Sequence, residues 1–177
     1  MTAYQLKLLA AVGLVVIAAS LRLVPHPDNF APIAAVAIFG GALLPTRLTL
    51  VVPLSAMAVT DLIIGLHDLV VVTWGCYLLV ALASHHLLKK RSLARGLGVI
   101  FGASTFFFIV TNFAVWLSSG MYAHTLSGLT QCYTMALPFL RNTLLSDLVY
   151  TGLLFGAFMV VRHLSFGLVM ARKERLS

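Results

Sequence analysis

A cysteine, two deeply placed aspartates and a proline-held histidine are the side chains in this sequence that could do chemistry. Cys76 lies in TWGCYLL, inside an apolar run. It is either an inert small apolar residue or a thiolate ligand for a soft metal centre. Cys132 is a second candidate, and a Cys76–Cys132 disulfide is a third reading. Asp61 and Asp147 also fall inside apolar runs, where an ionisable group is costly and is either functional or paired. Either carboxylate could hold a ligand, or could fix helix packing through an ion pair with Arg141 or Arg22. His26 stands between Pro25 and Pro27 in RLVPHPDNFAPIAAVAIFGG, a stretch with three of the six prolines. Proline fixes φ and disfavours helix at the preceding residue, so this is a rigid, non-helical connection. His26 there is a ligand, a hydrogen bonder or a cap for the loop.

The elements that position these groups follow from composition. Of 177 residues, 60% are hydrophobic and 10% charged, and mean hydropathy is +1.01. A soluble domain carries roughly 25% charged residues. The chain is therefore expected to be one transmembrane domain over residues 1–177, an all-α bundle. A bilayer-spanning helix needs about 20 apolar residues. Six segments qualify or come close: Leu6–Val24, Ala31–Leu44, Leu48–Leu66, Leu69–Leu88, Leu97–Leu117 and Thr143–Val161. The second is short and is expected to be tilted or partly covered by its neighbours. Its pairs Ala31/Ala35 and Ala37/Gly41 are spaced for close helix approach, within the bundle or against a partner. The first run is too long for a signal h-region and has no clear cleavage site.

Lys and Arg set the orientation. With a cytoplasmic N-terminus, Lys7, Arg47, Lys89, Lys90, Arg91, Arg95, Arg162, Arg172, Lys173 and Arg175 fall inside. Only Arg22 and Arg141 fall outside. Both termini are then cytoplasmic. The net charge of +7 reports topology and anionic lipid contact rather than nucleic acid. At 1.5 Å per residue, Asp61, Trp74, Cys76, Asn112 and Asp147 all lie within two turns of the outer ends of their helices. The outer loops add His26, Asp28, Asn29, His67, Asp68, His124 and Gln131. Polar groups converging at one depth imply a binding cavity that opens outward. The longest loop, Ser118–Asn142, has the length of a lid. Its middle, Leu126–Leu140, is expected to be an amphipathic helix on the outer surface, ended or kinked by Pro138. Tyr122, Tyr133 and Phe139 there are interfacial anchors or stacking partners for a flat ligand. No HExxH, P-loop, GxSxG, CxxC or dinucleotide fingerprint occurs, so the chain cannot drive ATP-dependent transport alone.

Four stretches carry a resemblance: PHPDNFAPIAAVAIFGG, PLSAMAVTDLIIGLH, TNFAVWL and GLTQCYTMALPFLRNTLLSDLVYTGLLFG. They resemble small six-helix membrane proteins related to the substrate-binding S components of energy-coupling factor (ECF) vitamin transporters. Within these the chain is similar to the solitary cobalamin S components of Gram-negative bacteria, the BtuM type. The resemblance implies six transmembrane helices with lid loops, placed in the bacterial inner membrane. It implies vitamin uptake with no intrinsic cofactor, working with an ECF coupling module or without one. It also implies cobalamin in the outward cavity, with Cys76 as cobalt ligand and as the group linked to loss of the upper cyanide. His26, Asp61, Tyr77 and Arg141 would line or support the pocket. Asn29, Trp74, Asn112, Tyr133 and Asp147 complete the expected binding set. Another small vitamin or metabolite is the alternative ligand. A structural role in an envelope complex, docked through Ala31/Ala35, is the alternative of a different kind.

Overall fold

The computed structural model describes the backbone of residues 2–89 and 92–176 and, apart from Ala3, their side chains as far as His163. Lys90 and Arg91 of the expected basic loop lie outside the described residues, as do the side chains of Arg172, Lys173 and Arg175. Seven helices make up the described chain: α1 Ala3–Leu23, α2 Ile33–Leu43, α3 Thr46–Ile64, α4 Val70–Leu87, α5 Leu93–Ser118, α6 Leu126–Met135 and α7 Leu137–Leu176. Five of them, all but α2 and α6, are long and apolar enough to cross a membrane. Their outward surfaces are apolar: Leu62, Val71, Leu93 and Leu153 are among the most exposed side chains. Hydrocarbon can accept such a surface, and every backbone group of a helix is bonded within it.

The expected count of six spanning helices is not matched by length. At 1.5 Å per residue the 11 residues of α2 cover about 16 Å, against a hydrocarbon core of roughly 30 Å. The reason is its place. Ile33, Ala35, Val36, Ala37 and Ile38 are all buried. Ile33 and Val36 pack with Leu14, Ala18, Val52 and Ala56 of α1 and α3. Ala37 and Ile38 pack with Val80, Ala81, Ile100 and Ala103 of α4 and α5. A helix enclosed by protein on every side has no lipid depth to match.

Between lipid-facing helices, packing replaces the hydrophobic effect, and small residues set how near two backbones can come. A Cβ at Gly41 would stand 2.7 Å from the Ala81 carbonyl oxygen and 2.7 Å from Ser84 Cβ. The Ala37/Gly41 spacing therefore serves contact between α2 and α4. Ala35 is fully buried in the same bundle, so its small side chain serves packing inside the bundle.

The helix ends have local causes. The Ser92 side chain accepts from Arg95 N–H and starts α5 earlier than the apolar run implies. Pro138 sits in the first turn of α7, where its missing N–H costs nothing, so it opens that helix rather than ending α6. Gly65, at φ +112, closes α3. At the opposite end of the bundle, His85 reaches both Thr46 Oγ1 (3.3 Å) and the Gly41 carbonyl (3.2 Å), tying α4 to α2 and α3.

Candidate functional site

One end of the bundle is organised by an ion pair. Arg22, in the last turn of α1, places Nη2 2.6 Å from Asp61 Oδ1 of α3. Its Nη1 donates to Thr60 Oγ1. The other Asp61 oxygen, Oδ2, accepts from Trp74 Nε1 of α4 at 2.7 Å. Asp61 is 1% exposed and its charge is matched by Arg22. Of the two arginines open as its partner, Arg22 is the one. Three helices are thus locked together by one carboxylate.

The proline loop is fastened over this pair. His26 holds the last turn of α1 through Nε2, 3.1 Å from the Arg22 carbonyl, and its Nδ1 lies 2.8 Å from the Pro27 carbonyl. His26 therefore caps the end of α1. From the other side, Asn142 Nδ2 of α7 donates to the Asp28 carbonyl (3.0 Å), and Ser146 Oγ donates to that of Ala31 (2.9 Å). Phe30 adds a ring contact with Tyr150 at 5.7 Å. Asn29 takes the left-handed conformation, φ 59, that an Asn side chain tolerates in a tight turn.

Beneath the loop is a cavity of about 390 Å³. Arg22, His26 and Asn29 line one side, and Met57, His67, Thr73 and Thr143 contribute from the surrounding helices and loop. Tyr77 and Phe107 form an aromatic wall, their rings stacked at 5.0 Å and 28°. An apolar hollow with a few converging polar groups is the usual form of a small-molecule site. It offers the remaining N–H groups of the Arg22 guanidinium, the His67 imidazole, hydroxyls and an amide to hydrogen-bond a polar ligand, and an aromatic face to cover a flat one.

The expected binding residues divide by place. His26, Asn29 and Tyr77 line the cavity, and Asp61 and Trp74 support it through Arg22. Asp147 is buried, with Ser104 Oγ 2.6 Å from its Oδ2. Cys76 is 2% exposed and is not among the cavity-lining residues. Arg141 is exposed and also absent from the lining.

Asn112 and Tyr133 serve a different contact. Asn112 Nδ2 bonds back to the Phe108 carbonyl at 2.8 Å, and its own carbonyl lies 3.4 Å from Cys132 Sγ. Tyr133 donates to the Ile109 carbonyl at 2.7 Å. These bonds dock α6 on α5, and no residue of α6 lines the cavity. Burial raises the Cys132 thiol above its ordinary range, and burial followed by the neighbouring Cys132 raises the Tyr133 phenol. Both cysteines are free thiols. Among the described residues no three His, Cys, Asp or Glu side chains gather as a metal cluster. A single thiolate on cobalt would not need one.

Residues that sequence reasoning does not assign to the site are Thr73, Phe107, Thr143 and Thr60. Isolated threonines and a phenylalanine in an apolar helix carry no periodic signal that would single them out.

Residues 2–169 match a family of unknown function, DUF6580. The chain belongs to this family. No curated protein and no solved structure matches it.

Proposed function

We propose that this DUF6580 chain is a membrane substrate-binding protein, of the S-component plan, that takes a small vitamin-sized or metabolite-sized ligand into the cavity under the proline loop. The observation that carries the reading is the cavity itself: about 390 Å³ at one end of the bundle, with an aromatic wall on one side and Arg22, His26 and Asn29 on the other. Pockets for small ligands run roughly 300–1,000 Å³. In this reading α2 is a sixth, enclosed helix of the membrane domain. The protein lies in the bacterial inner membrane with both termini cytoplasmic, and the cavity opens outward. The basic residues Lys7, Arg47, Lys89 and Arg95 at the other end support that orientation. Inward release then needs a separate coupling module or an existing gradient, since the chain has no nucleotide motif.

Cobalamin fits this cavity poorly. A corrinoid with its nucleotide loop is larger than the drug-sized ligands such a volume holds, and Cys76 is buried away from the lining. The smaller ligand is the one the geometry favours.

Native mass spectrometry of the detergent-purified protein, from cells grown with cyanocobalamin, tests both ligands. The expected result is a retained small molecule that is lost in Tyr77→Ala. A corrinoid adduct lost in Cys76→Ser would restore the cobalamin reading. A protein carrying no small molecule and taking up none from a vitamin mixture would overturn the binding function.

A further inference from the structure

Asp147 is the buried acid that the Arg22 network does not reach. It is 1% exposed, lies within the apolar span of α7, and makes no ion pair among the described residues. Its Oδ2 is 2.6 Å from Ser104 Oγ, and the same Ser104 oxygen is 3.0 Å from the Ile100 carbonyl. Ser104 has one hydroxyl proton and two acceptors within reach. Both contacts become full two-centre hydrogen bonds at once, with no proton shared between two acceptors, only if Asp147 brings a proton of its own. Asp147 Oδ2–H then donates to Ser104 Oγ, and Ser104 Oγ–H donates to the Ile100 carbonyl.

Among the described residues the surroundings supply no compensating charge. Helix α7 packs against α2, α5 and α6. Helix α2 carries no titratable side chain, and the one charged side chain of α5 is Arg95, in its first turn, far from Ser104. Helix α6 offers Cys132 and Tyr133, which are bonded to α5. On α7 itself, Arg141 is exposed, Tyr150 meets Phe30, and Arg162 and His163 lie more than four turns away. The proline loop held to α7 adds Asp28, itself an acid, and His26, whose ring nitrogens meet the Arg22 and Pro27 carbonyls. Arg22 is committed to Asp61 and Thr60. Thr143, one turn before Asp147 on α7, and Phe107, one turn after Ser104 on α5, both line the cavity, so the carboxyl and its serine lie one turn from the cavity wall. One turn along α7, on the same face, Thr151 Oγ1 is buried with no hydrogen-bond partner among the described residues. It is a donor in reserve, about 5–6 Å away by Cβ position, for an Asp147 that has lost its proton.

We propose that Asp147 and Ser104 form a proton-binding site beside the cavity, occupied at neutral pH while the bundle is closed. Any opening that brings water to Asp147 lets Oδ2 pass its proton to that water. The closed–open equilibrium then shifts on the order of tenfold per pH unit over the range in which only the opened form has lost its proton. This holds whatever the ligand is.

Infrared spectroscopy of the unliganded full chain in lipid vesicles reads the site, because the sequence has only five Asp and Glu residues. A protonated-carboxyl C=O band at pH 7 that disappears in Asp147→Asn and persists in Asp68→Asn is expected. If Asp147→Asn does not accumulate, Ser104→Ala should shift the same band by removing its hydrogen-bond partner. No protonated carboxyl at pH 7, a band indifferent to both variants, or a band abolished by sodium ions would overturn the proposal. The last result would indicate a cation site in place of a proton site.

Discussion

At the scale of single residues, burial decides what each polar group can do. Asp61 and Arg22 are partners inside the bundle, so removing one leaves the other uncompensated. Asp61→Asn is expected to destabilise the fold by about 3–5 kcal/mol, towards the lower figure because Arg22 keeps some exposure. Asp61→Asn combined with Arg22→Met should cost less than the two changes summed, and denaturant unfolding in detergent measures both. Cys132 gives a pH-dependent test. Burial raises its thiol, so maleimide labelling should stay slow until the pH passes the ordinary thiol value of roughly 8.5. Rapid labelling at pH 7 would mean that α6 does not hold it against α5. The height of these residues along their helices is legible in the sequence, because rise per residue is fixed. Their direction around the helix is not. Asn112 and Asp147 have similar heights, yet the Asn112 side chain bonds back to its own helix and Asp147 faces Ser104. Helix α5 is apolar on all sides, so no pattern marks which face meets protein.

At the scale of elements, the five long helices are legible to within a few residues at most ends, since length and apolarity define them. The enclosed role of α2 is only hinted at by its shortness and small residues. Its contact with α4 depends on Gly41. Gly41→Leu is expected to cost at least about 1–3 kcal/mol, because the added atoms meet the Ala81 carbonyl and the Ser84 side chain, neither of which can retreat. Thermal unfolding in detergent would show this as a lower midpoint. Ala35→Leu should likewise impair folding rather than detach a partner, because Ala35 is fully buried. The helix within the long loop is legible too, but not where it breaks. Thr125 caps α6 at its start and Ala136 closes it, leaving Pro138 to open α7. Its side chains turn to α5 through Tyr133 and Cys132, contacts between residues about twenty positions apart that no local pattern reveals.

At the scale of the whole molecule, the bundle is polar at one end inside and apolar outside along its length. The proline loop is held down by Asn142 and Ser146 and roofs the hollow that Arg22, Tyr77 and Phe107 enclose. The central claim is that this hollow opens to the outside of the cell and holds a small ligand there. Thr73 lines it near the start of α4, and the two native cysteines are buried, so background labelling is low. The most direct measurement is the reaction of Thr73→Cys with a membrane-impermeant maleimide in intact spheroplasts. The account predicts labelling from outside without permeabilisation, slowed when the protein is loaded with the small molecule that co-purifies with it. Labelling only after the membrane is opened would contradict the outward cavity, and with it the uptake function.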